Sequence, residues 1–194
     1  MSVFLSVGRH ENYDNQEKDI LSITKQACVR ALFSGLWLKN NISSVDCIYY
    51  SPLKRAKETA FIRALGMNLP ICVEENALRE DALLFEIHNF MESMMLESSE
   101  KNLRHVHCVT HQPVISKLNI PYFLAPGEIC VFQSNSWEDM FAGKCQDYLY
   151  KNNMLTNYPP FVENHEIFLQ ELSCRDNLSL EEVVNLFSQL TTTE

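Results

Sequence analysis

The chain has 194 residues and a formal net charge of −9 at pH 7, with 46% hydrophobic and 21% charged residues. This length and composition predict one globular domain, and the acidic balance argues against a nucleic-acid partner, because a phosphate backbone requires a basic face. No apolar run approaches the roughly 20 residues of a membrane span. The seven cysteines include no CxxC pair, so we expect a cytoplasmic protein without a zinc ribbon, a disulfide framework or a membrane contact.

Short apolar runs alternate with helical patterns along the first part of the chain. The expected strands are residues 3–7, 47–50, 71–73, 106–110 and 129–132. The expected helices are residues 21–38, residues 51–65 with Ser51 as N-cap and Gly66 as the stop, and residues 83–96. This alternation predicts an α/β fold, a three-layer α/β/α sandwich around a mainly parallel sheet.

The pattern changes from Gly143 onward. Asparagines and the pair Pro159-Pro160 interrupt it, and two helical stretches follow at residues 163–172 and 180–190. We therefore predict a catalytic domain at residues 1–143 and a helical C-terminal extension at residues 144–194, packed on that domain or appended to it. The extension is a candidate surface for a protein partner.

Charged and titratable side chains follow three of the expected strands. Arg9 and His10 follow the first strand, Arg55 lies in the helix after the second, and His111 follows the fourth. Parallel strands place their carboxyl ends at one edge of a sheet, so these side chains should meet. An arginine offers a charged fork for phosphate oxygens, and a histidine nitrogen can act as a base, a metal ligand or a nucleophile. Together with a helix N-terminus, they predict a pocket for a phosphoryl group.

These segments resemble the signature blocks of the histidine phosphatase superfamily, which also contains the cofactor-dependent phosphoglycerate mutases. Arg9-His10 matches the Arg-His block, and residues 51–60 (SPLKRAKETA) match the block Ser-Pro-x-x-Arg-Ala-x-x-Thr-Ala. Residues 109–115 (VTHQPVI) resemble the second-histidine block in the form found in small bacterial phosphohistidine phosphatases, and residues 77–80 (ALRE) stand where the family often has Leu-x-Glu. The four blocks occur in order within residues 3–133, whereas the tail has no counterpart.

The resemblance implies a phosphoglycerate mutase-like fold and a phosphatase that needs neither a metal nor a cofactor. His10 would attack phosphorus and form a phosphohistidine. Arg9, Arg55 and His111 would bind the phosphoryl oxygens and stabilise the transferring charge. Glu80 would protonate the leaving oxygen and then activate water. The substrate would be a phosphorylated small molecule or a phosphoprotein.

The sequence also departs from the family pattern. Glu11 stands where the family has glycine, and a carboxylate at the mouth of the pocket would repel an anionic substrate unless it points away or is paired, for instance with Lys54. Asp81 is an alternative acid to Glu80. A phosphate- or phosphopeptide-binding module without turnover also stays open. A phosphoglycerate-type mutase is disfavoured, because only about 24 residues separate Glu80 from His105 and leave little room for a cap.

Two further histidines raise the question of a metal site, since His105 and His107 share one face of the fourth strand. However, they lie at the far end of that strand from His111, and no cysteine or carboxylate completes a set of ligands at metal-binding spacing. We therefore expect no metal. Arg63 is expected, with the lysines of its helix, on a solvated helix face.

Overall fold

Strands and helices alternate through most of the chain, in a computed structural model that describes residues 2–14, 22–67, 72–150, 181, 182 and 185. The strands are β1 (Val3–Arg9), β2 (Cys47–Tyr50), β3 (Cys72–Glu74), β4 (His105–Thr110), β5 (Ile129–Ser134) and β6 (Gln146–Tyr150). The helices are α1 (Lys25–Asn41), α2 (Lys54–Met67), α3 (Leu84–Glu100), α4 (Gln112–Lys117) and α5 (Trp137–Phe141), with a 3₁₀ turn at Asn76–Leu78. No helix in the described ranges is long and apolar enough to cross a membrane.

All of these strands form one sheet in the order β3-β2-β4-β1-β5-β6. The first four strands of that order pair in parallel, and β5 and β6 are antiparallel to their neighbours. The predicted α/β class with a mainly parallel sheet is therefore confirmed. Because β2, β4 and β1 are adjacent and parallel, their carboxyl ends lie side by side at one edge.

Each face of the sheet has its own apolar core, since neighbouring side chains of a strand point to opposite sides. Leu5 of β1 belongs to a core with Ile87 of α3 and Met140 of α5. Ile48 of β2 belongs to a second core with Ala60 of α2. Burial on both faces explains why most of these strands are nearly continuous apolar runs in the sequence.

Helix α2 starts and ends at other residues than predicted. Ser51 and Gly66, which were expected to mark its two ends, both make tertiary contacts. The helix begins at Lys54 rather than directly after Ser51, whose hydroxyl accepts from His111 at 2.8 Å and from the Leu53 amide at 3.4 Å. Gly66 lies inside the helix and does not end it. A Cβ atom at Gly66 would come within 2.5 Å of the Leu32 carbonyl oxygen in α1, so the glycine permits close packing of the two helices.

The sheet continues past residue 143, where the sequence predicted the start of a helical extension. Residues 146–150 form β6, which pairs with β5 from Ile129↔Tyr150 to Gln133↔Gln146. The helical prediction is wrong for this segment, and the α/β unit includes it. Residues 181, 182 and 185 are helical, but the rest of the helix predicted at 180–190 and all of the one at 163–172 lie outside the described residues.

Candidate active site

Side chains from three segments meet at the carboxyl ends of β1, β4 and β2. His10 follows β1, His111 follows β4, and Arg55 lies in the first turn of α2 after β2. The ring centroids of the two histidines are 4.9 Å apart, and Arg55 Nε lies 3.2 Å from His10 Nε2. The structure thus brings together the groups that the strand ends predicted to meet.

A hydrogen bond to the main chain sets the tautomer of His10. Nδ1 lies 2.7 Å from the carbonyl oxygen of Glu11, and a carbonyl oxygen can only accept, so Nδ1 carries the proton. The Glu11 amide is held in turn, since it donates to Thr59 Oγ1 at 3.0 Å, and that hydroxyl donates to the Arg55 carbonyl oxygen at 2.7 Å. His10 Nε2 is therefore the nitrogen whose lone pair faces the pocket.

Both pocket histidines are buried, which keeps them neutral at pH 7. Burial lowers the pKa of His10 to about 4, and the guanidinium groups of Arg55 and Arg9 act in the same direction. Burial also lowers the pKa of His111 to about 3, with further contributions from His10 and Arg55. A neutral His10 keeps its Nε2 lone pair across the physiological pH range, and in the free protein that lone pair accepts from Arg55 Nε at 3.2 Å.

His111 is held between Arg55 and Ser51. Arg55 NH2 lies 3.3 Å from His111 Nδ1, and a guanidinium can only donate, so Nδ1 is the acceptor. Nε2 then carries the proton and donates to Ser51 Oγ at 2.8 Å. Ser51 is fully buried. Ser51, which was expected only as a helix cap, is a positioning residue for the second histidine.

Arg9 is anchored by the main chain next to a second guanidinium. Its NH1 donates to the Leu124 carbonyl oxygen at 3.0 Å, while its Nε is buried without a hydrogen-bond partner among the described residues. Burial lowers the pKa of Arg9, and nearby Arg55 acts in the same direction. An oxyanion that contacts both guanidinium groups would offset the repulsion between the two charges.

Of the two candidate acids, Glu80 lies at this pocket. Glu80 Oε2 is 2.5 Å from Arg55 NH2 and 3.9 Å from His111 Nδ1, and 49% of its side chain stays exposed. Asp81 instead forms a two-pronged pair with Arg79, at 2.9 and 3.1 Å. A half-exposed carboxylate beside the histidines is accessible both to a leaving group and to water.

Solved structures share this arrangement of strands and helices, although no family model and no curated protein matches the chain. The protein histidine phosphatase SixA, complexed with tungstate, matches with a TM-score of 0.64 at 15% sequence identity, over 79% of this chain and 99% of its own. The fold is that of the histidine phosphatase superfamily. A mycobacterial glucosyl-3-phosphoglycerate phosphatase has it too (TM-score 0.56, 11% identity, 77% and 97% of the two chains). So does a phosphoglycerate mutase from Plasmodium falciparum (TM-score 0.52, 19% identity, 77% and 89%).

Glu11, at the position where the resemblance to the histidine phosphatase family predicts a glycine, does not face the pocket. Its side chain is fully buried, and Oε2 accepts from Arg30 Nε at 3.0 Å and from Arg30 NH2 at 2.8 Å. Gly127, at a φ of +88°, covers the carboxylate so closely that any side chain there would collide with it. Of the alternatives that the sequence left open, the structure has the one without repulsion: the carboxylate points away from the pocket and is paired, with Arg30 rather than with Lys54.

Replacing Arg30 with methionine should lower the free energy of unfolding by about 3–5 kcal/mol, because it removes the guanidinium that hydrogen-bonds the buried Glu11 carboxylate. A Glu11→Gln change made together with Arg30→Met should recover part of that loss. Urea unfolding at pH 7 measures both variants, with Lys57→Met on the exposed face of α2 as the matched control. A double variant as unstable as Arg30→Met would show that the loss does not come from the unpaired charge.

A chain of buried hydrogen bonds crosses the sheet face beneath α2, and each donor in it can be assigned. Arg63 NH1 donates to His107 Nε2 at 3.2 Å, and His107 Nδ1 donates to Ser6 Oγ at 2.7 Å. Ser6 Oγ donates to His105 Nε2 at 2.9 Å, and His105 Nδ1 donates to the Ser43 carbonyl oxygen at 3.2 Å. The described residues contain no group of three or more His, Cys, Asp or Glu that could hold a metal ion.

The solvated position predicted for Arg63 is wrong, because the side chain is fully buried. Its NH2 donates to the carbonyl oxygens of Arg9 at 3.2 Å and Gly127 at 2.9 Å. Gly8 makes room for it, since a Cβ atom there would lie 2.3 Å from Arg63 NH1. Arg63 is thus a positioning residue that joins the buried chain of hydrogen bonds to the strand end that carries Arg9.

Acid should destabilise the fold below pH 6.5 through these buried histidines. Burial lowers the pKa of His105 to about 4, so between pH 6.5 and pH 4 the unfolded chain takes up a proton at His105 that the folded chain does not. One pH unit between the two pKa values corresponds to about 1.4 kcal/mol, so His105 alone should remove on the order of 3 kcal/mol over this range. Urea unfolding at several pH values should show a shallower pH dependence for His105→Gln, and an unchanged dependence would contradict the assignment.

Proposed function

We propose that the protein is a metal-independent phosphatase that hydrolyses a phosphomonoester or a phosphoprotein through a phosphohistidine at His10. The supporting observation is the orientation of His10. The Glu11 carbonyl oxygen holds the proton on Nδ1, at 2.7 Å, and leaves the Nε2 lone pair facing the Arg55 guanidinium, whose Nε donates to it at 3.2 Å. A neutral imidazole held in this way presents the Nε2 lone pair that a histidine nucleophile needs. The guanidinium groups of Arg55 and Arg9 disfavour protonation of His10, which a general base would require.

In the first step, the His10 Nε2 lone pair attacks phosphorus as the bond to the leaving oxygen breaks. The three remaining oxygens carry the charge of a loose transition state, and Arg9 and Arg55 supply donors for it. A dianionic phosphoryl group competes for Arg55 NH2, which in the free protein contacts Glu80 and His111. Glu80, in its acid form, then gives its proton to the leaving oxygen.

In the second step, water attacks the phosphohistidine from the side that the leaving group has vacated. Glu80 removes a proton from that water, the bond from phosphorus to Nε2 breaks, and inorganic phosphate leaves. The exposure of Glu80 supports this step, since 49% of its side chain contacts solvent. Between β3 and β4 the chain forms only a 3₁₀ turn and α3, and an open site of this kind favours hydrolysis over the retained intermediate that a mutase needs.

The test is phosphate release from para-nitrophenyl phosphate in the presence of EDTA, followed by rapid quenching. We expect turnover together with a phosphoenzyme whose label is stable in alkali and lost in acid. Saturable binding of inorganic phosphate without any turnover would instead identify a binding module. Movement of phosphate between the positions of a phosphoglycerate, without release, would identify a mutase.

A further inference from the structure

Two exposed aromatic rings stand at the mouth of the pocket, one against each phosphate-binding arginine. The ring of Phe123 lies 5.7 Å from Arg9 Cζ, and the ring of Tyr13 lies 4.6 Å from Arg55 Cζ. Tyr13 also meets His10 edge-on, at 5.7 Å between ring centroids. Neither ring belongs to the sequence blocks that resemble a known family, and neither has a role in the two reaction steps.

The Phe123 side chain is exposed to solvent and does not pack into the apolar core. Its side chain is 76% exposed, whereas the next residue, Leu124, is fully buried. Leu124 holds this loop to the pocket through its main chain, because its carbonyl oxygen accepts from Arg9 NH1 at 3.0 Å and its amide donates to Gln112 Oε1 at 3.2 Å. The loop thus presents an apolar ring at a fixed place beside the phosphoryl site, although water is an unfavourable environment for that ring.

We propose that Phe123 and Tyr13 form an aromatic rim that binds the leaving group, and that the substrate is a phosphate ester of a flat, aromatic group. This proposal rests on the proposed function, since the phosphoryl group must bind at His10 for its leaving group to reach the rim. A ring attached to that phosphoryl group can stack on, or meet edge-on, the two aromatic side chains. A hydrophilic alcohol such as glycerol gains nothing from them.

The test compares three alkyl phosphates whose leaving alcohols have similar acidity. Phenethyl phosphate carries a flat ring, cyclohexylethyl phosphate a puckered one and propyl phosphate none. For the wild type, we expect the highest kcat/KM with the phenethyl ester. Aromatic contacts of this kind are worth roughly tenfold in binding, so Phe123→Ala and Tyr13→Ala should each reduce the phenethyl-to-propyl ratio by several fold, and about tenfold together.

The control is Phe141→Ala, an exposed phenylalanine that packs against His88 and contacts neither arginine. Its phenethyl-to-propyl ratio should equal that of the wild type. A Phe123→Tyr change should keep the ratio because it keeps the ring. If Phe123→Ala lowers kcat/KM equally for all three esters, the ring only holds Arg9 in place and the proposal is overturned. An equal preference for the phenethyl and cyclohexylethyl esters would also overturn the requirement for a flat group.

A binding measurement separates this proposal from the proposed function. Phenethylphosphonate and propylphosphonate cannot be hydrolysed, so calorimetry with them measures how much the aromatic rim contributes to binding affinity in the absence of turnover. Preference for the phenethyl compound in a protein that hydrolyses none of the esters would support the rim and overturn the phosphatase assignment. Turnover of all three esters, with neither phosphonate preferred, would support the phosphatase and overturn the rim.

Discussion

Replacing His10 with alanine should lower kcat by on the order of 10⁴-fold or more, because removing a nucleophile disables the whole set of groups that acts with it. His111, the other pocket histidine, has Nε2 bound to Ser51 at 2.8 Å and Nδ1 next to Arg55 at 3.3 Å. The site of the phosphoenzyme label therefore decides which of the two histidines is the nucleophile. The measurement is the initial rate of phosphate release, together with the phosphoenzyme isolated after quenching.

The matched control for this variant is His88→Ala. His88 lies on the exposed side of α3 and packs against Phe141 rather than against the pocket. It should keep both the rate and the label of the wild type, whereas His10→Ala should lose both. Equal labelling of His10→Ala and the wild type would show that another residue carries the phosphoryl group, and would contradict the assignment of His10 as the nucleophile.

The placement of His10, Arg55 and His111 was predictable from the sequence because it depends on sheet topology. Each follows a short apolar run that is readily identified as a strand, and parallel neighbours bring their carboxyl ends together. The burial of Arg63 could also have been predicted from the sequence. Helical spacing puts Arg63 on the same stripe as Ala60, three residues earlier, which is fully buried. A charged side chain on an apolar stripe indicates a buried ion or hydrogen-bond network.

The direction of the Glu11 side chain was not predictable from the sequence. Its partner, Arg30, belongs to a helix 19 residues further along, and nothing local connects the two. Gly127, which covers the carboxylate, comes from a turn before β5. A tertiary contact built from three distant segments leaves no periodic signal in the sequence. The sequence therefore could not show whether the Glu11 side chain faces the pocket or packs beneath it.

The last strand escaped prediction for a different reason. β6 lies at the edge of the sheet, and Gln146, Asp147 and Tyr148 are exposed. An edge strand buries little, so its sequence lacks the apolar run or clear alternation that marks a strand. This segment becomes a strand because its main chain pairs with β5, and that pairing exists only in the folded sheet.

The prediction for Glu80 rests on what the leaving group needs. Glu80→Gln removes the proton donor, so hydrolysis of an alkyl phosphate, whose alkoxide is a poor leaving group, should fall by about 10²–10⁴-fold. Para-nitrophenolate leaves without a proton, so its ester should lose far less. The measurement is kcat/KM for both esters, and the expected result is a loss that grows with the basicity of the leaving oxygen.

Two other outcomes would contradict this role. Glu80 also contacts Arg55 NH2 at 2.5 Å, and a carboxylate that only holds Arg55 in place would, on removal, slow both esters by the same factor. Asp81→Asn is the matched control, since the Asp81 carboxylate is paired with Arg79 rather than with Arg55. If that change selectively slows the alkyl ester and Glu80→Gln does not, Asp81 is the acid. Its carboxylate would then have to leave Arg79 during turnover, and adding Arg79→Ala should relieve that constraint and raise the rate with the alkyl ester.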